Sequence, residues 1–120
     1  MMVADVIAAF EAAWNAPDEA GRLRLLAASC VPDAVFVSPQ GSAAGIGALN
    51  ASMGEFRRAF PAAVVAFGRP DGHGGYARVG WRTRWHNGQP DLAGEDFAEL
   101  AADMRIRQLV SFDGAPAAIP

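Results

Sequence analysis

The sequence predicts an α+β domain in which a strongly curved antiparallel sheet wraps around three N-terminal helices. Two observations favour this class. The first half of the chain carries apolar residues at helical spacing, whereas the second half alternates between apolar and polar residues, as strands do. Because the helices come first and adjacent strands follow, the sheet must bury one face against the helices. Such a sheet leaves a cavity wherever the helices do not fill its concave side.

Three helices are predicted in the first sixty residues. The first has an apolar face that ends on a tryptophan before Pro17, and that face consists of Val3, Val6, Ile7, Phe10 and Trp14. The second begins near Asp18 and Glu19, because negative charge is favourable at a helix N-terminus. The third has the longest apolar face and ends at Pro61; its face consists of Ile46, Leu49, Met53, Phe56 and Phe60.

Five strands are predicted, joined by recognisable turns. A short strand precedes the turn sequence SPQG, and four more follow the third helix; their ranges are 31–37, 62–67, 75–86, 92–101 and 105–112. The loops at 86–91 and 102–104 make the last three strands a meander. We therefore expect a single domain over residues 1–113, followed by a loose Ala/Pro-rich tail at 114–120.

The alternation on the long strand assigns its faces. Its odd positions are mostly apolar and turn inward; they are Ala77, Val79, Trp81, Thr83 and Trp85. A register that pairs Trp85 with Leu92 also pairs Trp81 with Asp96, which places both tryptophans and Asp96 in one inner layer. A slip by one residue would pair Asp96 with Arg82 on the outer face. That slip is disfavoured because it would also turn Leu92 outward.

The final hairpin is predicted to have a three-residue loop with Met104 in the left-handed region. A two-residue loop would bury Arg107 instead. The longer loop turns one set of alternating residues inward: Ile106, Gln108, Val110 and Phe112.

Composition and motifs exclude several classes of function. The chain has 10 basic residues, all arginine, against 13 acidic ones, and a nucleic-acid surface would need a basic excess. No apolar run approaches the roughly 20 residues of a membrane span, and the acidic N-terminus does not suit a signal peptide, so we expect a cytoplasmic protein. Cys30 is the only cysteine and is expected to be a buried thiol. No metal-binding, nucleotide-binding or serine-hydrolase motif occurs, so no cofactor and no metal are expected.

The order of predicted elements and three local motifs resembles the nuclear transport factor 2-like (NTF2-like) superfamily. The motifs are VSPQGSAAGIGAL before the third helix, HGGYARVGWRTRW on the long strand and GEDFAELAADMRIRQLVSF across the final hairpin. More narrowly, the chain resembles the SnoaL-like bacterial members, which are related to polyketide cyclases and ketosteroid isomerases. The resemblance implies a cone-shaped pocket, frequent homodimers through the outer sheet face, and a pocket carboxylate that acts as acid or base without a metal or cofactor.

Two features depart from that family pattern. The final turn, usually Asp-Gly, is Asp103-Met104 here. The histidine-rich surroundings of the cyclases' catalytic Asp are missing, because His73 and His86 are the only histidines in the chain. Polyketide cyclase chemistry is therefore the less favoured branch of the resemblance.

Asp96 is the leading candidate for a catalytic residue. Desolvation beside Trp81 and Trp85 would raise its pKa above the usual value of about 3.9, toward the range in which a carboxyl both takes and returns a proton. The alternative is a structural acid held by Arg78 or by backbone donors. His73 is a second catalytic candidate if the glycines beside it introduce no bulge, and otherwise it is a turn residue.

The predicted substrate-binding residues combine aromatic walls with neutral polar groups. Trp14, Trp81, Trp85 and Phe56 would form the walls, although aromatic residues at such spacings also occur in plain cores. Ser38 and Gln108 would donate hydrogen bonds to a carbonyl of the ligand; the alternatives are a turn-forming serine and a buried structural amide.

The outer face of the sheet is predicted to carry a homodimer interface. On that face an arginine row meets two glutamates; the residues are Arg78, Arg82, Arg84, Glu95 and Glu99. Phe97 lies between the two acids and would be an exposed apolar residue in a monomer, which favours a dimer.

Two functions remain open at the level of sequence. One is an isomerase, cyclase or hydratase in which Asp96 moves a proton on an apolar, cyclic small molecule. The other is a non-catalytic module that binds a hydrophobic ligand or only dimerises. An acid satisfied by an arginine would favour the binding module, and a second polar group beside Asp96 would favour the enzyme.

Overall fold

The computed structural model describes residues 2–120 and shows three helices packed on one curved sheet. In chain order the elements are α1 (Val3–Asn15), α2 (Glu19–Ser29), β1 (Cys30–Ser38), β2 (Gly41–Ala44), α3 (Ile46–Ala59), β3 (Val64–Phe67), β4 (Asp71–His73), β5 (Tyr76–Arg84), β6 (Leu92–Leu100) and β7 (Ile106–Asp113). The predicted α+β class, with a curved sheet around three helices, is confirmed. No helix within residues 2–120 is long and apolar enough to cross a bilayer.

The sheet is mixed rather than wholly antiparallel. Its strand order is β2-β1-β7-β6-β5-β3, and β4 pairs with β5 beside this path. β1 runs parallel to β7, whereas the other pairs are antiparallel. The sequence reading missed β2 and β4 because both are short and neither shows apolar alternation.

Helix α1 is fastened to the edge strand β3 by two polar side chains. The Asn15 side chain accepts a hydrogen bond from the Val65 amide at 2.9 Å and donates one to the Val65 carbonyl at 2.8 Å. One turn earlier, the Glu11 carboxylate accepts from the Phe67 amide at 2.6 Å. These bonds satisfy backbone groups that an edge strand leaves open. They also fix the last turn of α1, which carries Trp14, against the sheet.

The pairing of β5 with β6 differs from the predicted register by two residues. Val79 lies opposite Asp96, and Trp81 lies opposite Gly94. A shift of two preserves the face of every side chain, so the inward assignment was right while the partners were wrong. The physical reason is that β5 ends at Arg84. Trp85 therefore belongs to a longer loop and has no partner in the ladder.

The final hairpin has the predicted three-residue loop with Met104 at φ 75°. The Met104 amide donates to the Ala101 carbonyl at 2.9 Å, and the Ala101 amide donates to the Arg105 carbonyl at 2.8 Å. A bulge follows, because Leu100 pairs with Ile106 while the preceding residue of β6 pairs with Gln108. Beyond the bulge the faces are reversed relative to the prediction. The inner residues are Leu109, Ser111 and Asp113, and the inward placement of Gln108, Val110 and Phe112 was wrong.

Candidate functional site

A cavity of about 630 Å³ lies between the concave face of the sheet and helices α1 and α3. This volume is within the range of small-molecule sites. Seven of its lining residues are aromatic: Trp14, Phe36, Phe56, Phe60, Phe67, Trp81 and Trp85.

Five of these side chains form a continuous series of ring contacts: Phe36, Trp14, Phe56, Phe60 and Trp85. The Trp14 ring lies 5.4 Å from that of Phe56 in an edge-to-face arrangement and 6.1 Å from that of Phe36. On the other side, Trp85 lies 4.7 Å from Phe60 and 5.9 Å from Phe56, measured between ring centroids. Aromatic pairs of this kind stabilise the folded protein by more than the burial of their apolar area alone. The wall therefore joins α1, β1, α3 and the loop after β5 into one surface.

Asp96 lies at the floor of the cavity and is only 3% exposed. Val79 of β5 and Ser111 of β7 flank it in the sheet. Its Oδ1 atom is buried without a hydrogen-bond partner among residues 2–120. Burial raises the pKa of Asp96 to about 6; the nearby Ser111 hydroxyl and Trp81 indole N–H lower this pKa, and the negative charge of Asp113 adds to the rise.

Trp81 is oriented by a glycine on the neighbouring strand. A Cβ atom at Gly94 would lie 2.5 Å from Cζ2 and 2.7 Å from Cε2 of the Trp81 indole, so only glycine allows the ring to lie against β6. Trp81 Nε1 is buried beside the Asp96 carboxyl. It attracts that carboxyl electrostatically, yet it is not in hydrogen-bonding geometry with any acceptor in the described chain. The cavity floor thus presents one unpaired acceptor and one unpaired donor.

The mouth of the cavity is polar and acidic. Its exposed polar lining residues are Gln40, Ser42, Ser52, Glu55 and Asp113. No arginine, lysine or histidine lines the cavity within residues 2–120. The same part of the chain contains no group of three or more His, Cys, Asp or Glu side chains arranged to hold a metal ion.

Two predicted site residues lie outside the cavity. Gln108 is exposed on the outer face opposite Glu99, because the bulge before it reverses the strand. His73 is exposed in β4 opposite Tyr76, and the left-handed pair Gly74-Gly75 makes the turn between them. The inward placement of both residues was wrong for the same reason: glycines or a bulge interrupted the alternation on which the prediction relied.

The other predicted site residues do line the cavity. They are Asp96, Trp14, Trp81, Trp85, Phe56 and Ser38. Ser38 is already engaged in a turn, where its hydroxyl lies 3.2 Å from the Gln40 side-chain oxygen and accepts from the Gln40 amide at 3.3 Å. Arg78, the arginine considered as a partner for Asp96, instead binds Asp71 at 2.9 Å in a solvent-exposed pair.

Several residues of the site were not predicted from the sequence, and four of them show why. Ser111 and Asp113 were assigned outward because the bulge in β7 was not foreseen. Phe36 is a plain strand residue in the sequence, and nothing there marks it as part of a cavity. Gly94 had a usable signal, since a glycine inside a strand often marks a close approach by another group.

Solved structures similar to this chain include a proposed isomerase of the SnoaL-like family from Agrobacterium tumefaciens. It has a TM-score of 0.83 and 27% identity, and the match covers 93% of this chain and 97% of that one. A protein of unknown function with a cystatin-like fold from Methylobium petroleophilum has a TM-score of 0.78 and 20% identity, covering 97% and 78%. A proposed SnoaL-like polyketide cyclase from Jannaschia sp. CCS1 has a TM-score of 0.74 and 18% identity, covering 92% and 84%.

No protein-family model and no curated protein sequence matches the chain. The assignment therefore depends on the fold and on the similarity to the Agrobacterium protein. The predicted resemblance is confirmed at the level of the fold, because SnoaL-like and NTF2-like proteins are among the solved structures similar to this chain.

Proposed function

We propose that the protein is a cofactor-independent acid–base enzyme of the isomerase, cyclase or hydratase type, acting on an apolar, cyclic small molecule. The observation that carries this proposal is the Asp96 carboxyl, which is buried at the floor of an aromatic cavity with one oxygen unpaired. A carboxyl with a pKa near 6 can accept a proton and return it at neutral pH. The proposed isomerase and polyketide cyclase among its structural relatives support the same reaction class.

The chemical step follows from the two unpaired groups. The Asp96 carboxylate removes a proton from a carbon next to a carbonyl, and the C–H electron pair moves toward the carbonyl oxygen. Trp81 Nε1 donates a hydrogen bond to the oxygen that becomes negative, and this bond is stronger in the transition state than in the bound ketone. Protonated Asp96 then returns the proton to the same carbon or to another one. The aromatic walls hold the ring and exclude water.

The surroundings of Asp96 favour this enzyme over a non-catalytic binding module. A structural acid would be expected to pair with a cation, yet Arg78 is bound to Asp71 on the outer face. Ser111 and Trp81 instead place two neutral donors beside the carboxyl. A buried carboxylate without a cation partner costs stability, and sites that tolerate such a cost are often functional.

Proton exchange into a cyclic ketone tests the proposal without knowledge of the natural substrate. The probe is 2-tetralone in D2O at neutral pD, with loss of the α-proton signals followed by NMR. We expect the wild-type protein to accelerate exchange and Asp96→Asn to lower the rate by at least about 100-fold, since general acid–base groups contribute about 10²–10⁴. The matched control is Asp91→Asn, which makes the same change at an exposed residue paired with Arg84 outside the cavity.

Binding of the ketone, measured by quenching of tryptophan fluorescence, separates the two functions. Exchange that persists in Asp96→Asn would remove the aspartate mechanism. A wild-type protein that binds 2-tetralone without accelerating exchange would leave the binding module as the function.

We further propose that the protein forms a homodimer through the outer face of β5, β6 and β7. Three aromatic side chains are exposed there: Tyr76 by 61%, Phe97 by 42% and Phe112 by 55%. The rings of Phe97 and Phe112 pack edge to face at 5.9 Å, so these two side chains form one patch. Exposed aromatic patches of this kind are typical of protein–protein interfaces.

Sedimentation of a charged variant tests the dimer. Phe97→Glu places a charge at the centre of the aromatic patch, and we expect the sedimentation coefficient to fall from that of a dimer to that of a monomer. Leu23→Glu is the matched control, because Leu23 is 37% exposed on α2, away from the sheet. A wild-type monomer, or a dimer that Phe97→Glu leaves intact, would contradict this interface.

A further inference from the structure

The charged residues that line the cavity all have the same sign. They are Glu55 and Asp113 at the mouth and Asp96 at the floor. The guanidinium of Arg57 lies 5.0 Å from the centre of the Phe56 ring, but Arg57 does not line the cavity and donates to the Ala63 carbonyl at 2.6 Å. The negative charge of Asp113 raises the pKa of Asp96, so it makes ionisation of that carboxyl harder. A ligand in the cavity therefore experiences a negative electrostatic field, and no positively charged lining residue offsets it.

This charge pattern discriminates among ligands. A negative ligand would bring its charge into a partly enclosed space beside carboxylates, where like charges repel more strongly than in water. A positive ligand would be attracted by the same carboxylates. It would also face the aromatic rings of the wall, whose negative faces attract ammonium groups.

The floor of the cavity gives an independent sign that a ligand belongs there. Asp96 lines the cavity and is only 3% exposed, and its buried Oδ1 atom has no hydrogen-bond partner among residues 2–120. Buried acceptors in folded proteins almost always have a hydrogen-bond partner. An occupant of the cavity would supply one, so the acidic mouth and the unpaired floor belong to one site.

We propose that the cavity binds a ring-bearing organic cation, with the ring held between the aromatic walls and the ammonium group directed toward Glu55 and Asp113. This inference rests on the proposed function only in taking the same cavity as the binding site. It refines the substrate class proposed above: the apolar ring of the substrate carries a protonated amine, rather than a carboxylate, phosphate or sulfate.

Three ligands that share one ring test the charge preference at pH 7.5. The probes are 2-naphthylmethylamine, which is protonated, 2-naphthalenemethanol, which is neutral, and 2-naphthoate, which is anionic; calorimetry measures their affinities. We expect the amine to bind at least about 10-fold more tightly than the alcohol, and the carboxylate to bind most weakly. The amine-to-alcohol ratio should fall at least about fivefold in the double variant Glu55→Gln/Asp113→Asn, because both carboxylates at the mouth are then neutral. Asp91→Asn should leave the ratio unchanged.

Three outcomes would overturn the inference. The alcohol or the carboxylate could bind as tightly as the amine, the ratio could be the same in the double variant, or none of the probes could bind. Because these readouts are affinities, they are independent of turnover. If Asp96→Asn loses proton exchange but naphthoate binds as tightly as the amine, the cation preference would be wrong and the enzyme mechanism would stand. If the affinities follow the expected order but Asp96→Asn exchanges protons as fast as wild type, the enzyme mechanism would be wrong and the cation preference would stand.

Discussion

The two ends of the concave sheet surface are packed in different ways, although the same three strands form both. At the closed end, where β5 begins and β6 ends, small and aliphatic side chains form one buried cluster with residues of α1 and α2. The sheet residues there are Ala77, Ala98, Leu100, Ile106 and Leu109, all at most 8% exposed. At the open end, the inner positions of the same strands line the cavity instead; they are Trp81, Thr83, Leu92, Ser111 and Asp113.

The difference shows where this fold can carry chemistry. The closed end is apolar and well packed, which is the arrangement that stabilises a domain of this size. At the open end the sheet is also curved, but side chains do not fill its concave face. The buried unpaired atoms of Asp96 and Trp81 lie there. Asp96 lies between the two ends, with Ala98 on one side along β6 and Gly94 on the other. It is buried by the packed end and accessible from the hollow end.

A pair of leucine truncations would sharpen this comparison and should give the largest effect on stability. Leu109→Ala removes a side chain that is 1% exposed at the closed end and should lower the free energy of unfolding by about 3 kcal/mol. Leu92→Ala removes a half-buried side chain that already faces the cavity, so the loss should be below about 1 kcal/mol. Urea denaturation at pH 7 measures both. Equal losses would contradict a packed end and a hollow end.

The closed end was largely predictable from the sequence, because its buried apolar residues recur with the period of a helix or a strand. The faces of α1, α3 and β5 followed from that periodicity, and Pro17 and Pro61 indicated where two helices end. The left-handed residue Met104 was also predicted, although the inner positions counted to reach it were right only at Ile106. These features depend on local rules, which a single sequence carries.

The open end was predicted only in part, because its geometry depends on departures from regular alternation. Because of the bulge in β7, Ser111 lines the cavity and Gln108, which was predicted to do so, does not. The early end of β5 moved Trp85 out of the ladder, yet ring packing against Phe60 kept it in the wall. Strand alternation gave Asp96 the correct face, but the residues beside it required the three-dimensional register.

The buried carboxyl of Asp96 should lower the free energy of unfolding at neutral pH. This effect is smaller than that of Leu109→Ala, and it depends on pH. Its pKa is about 6 in the folded protein against 3.8 unfolded. The folded state therefore binds more protons between these values, so stability falls as the pH rises from about 4 through 6 and then levels off. Asp113 of β7 acts on this carboxyl, and the flanking residues of β5, Val79 and Trp81, do not titrate.

Asp96→Asn should remove that cost. At pH 7.5 we expect the variant to be more stable than wild type by about 1 to 3 kcal/mol, the upper value being a pKa difference of about two units. At pH 4 the advantage should largely disappear, because wild-type Asp96 is then protonated in the folded state. Thermal or urea unfolding across this pH range measures the difference, with Asp91→Asn as the exposed control. A variant that is less stable at pH 7.5 would show that the carboxylate is well paired.

The titration of Asp96 itself tests the central claim most directly. Carbon-13 NMR of labelled aspartate side chains follows the carboxyl carbon against pH, and the Asp96→Asn variant identifies its signal. A pKa of about 6 is expected, and Asp113→Asn should lower it because a neighbouring negative charge is removed. A midpoint at or below the usual value of about 3.9 would show a solvated or cation-paired carboxyl and would contradict an acid buried, unpaired and facing the cavity.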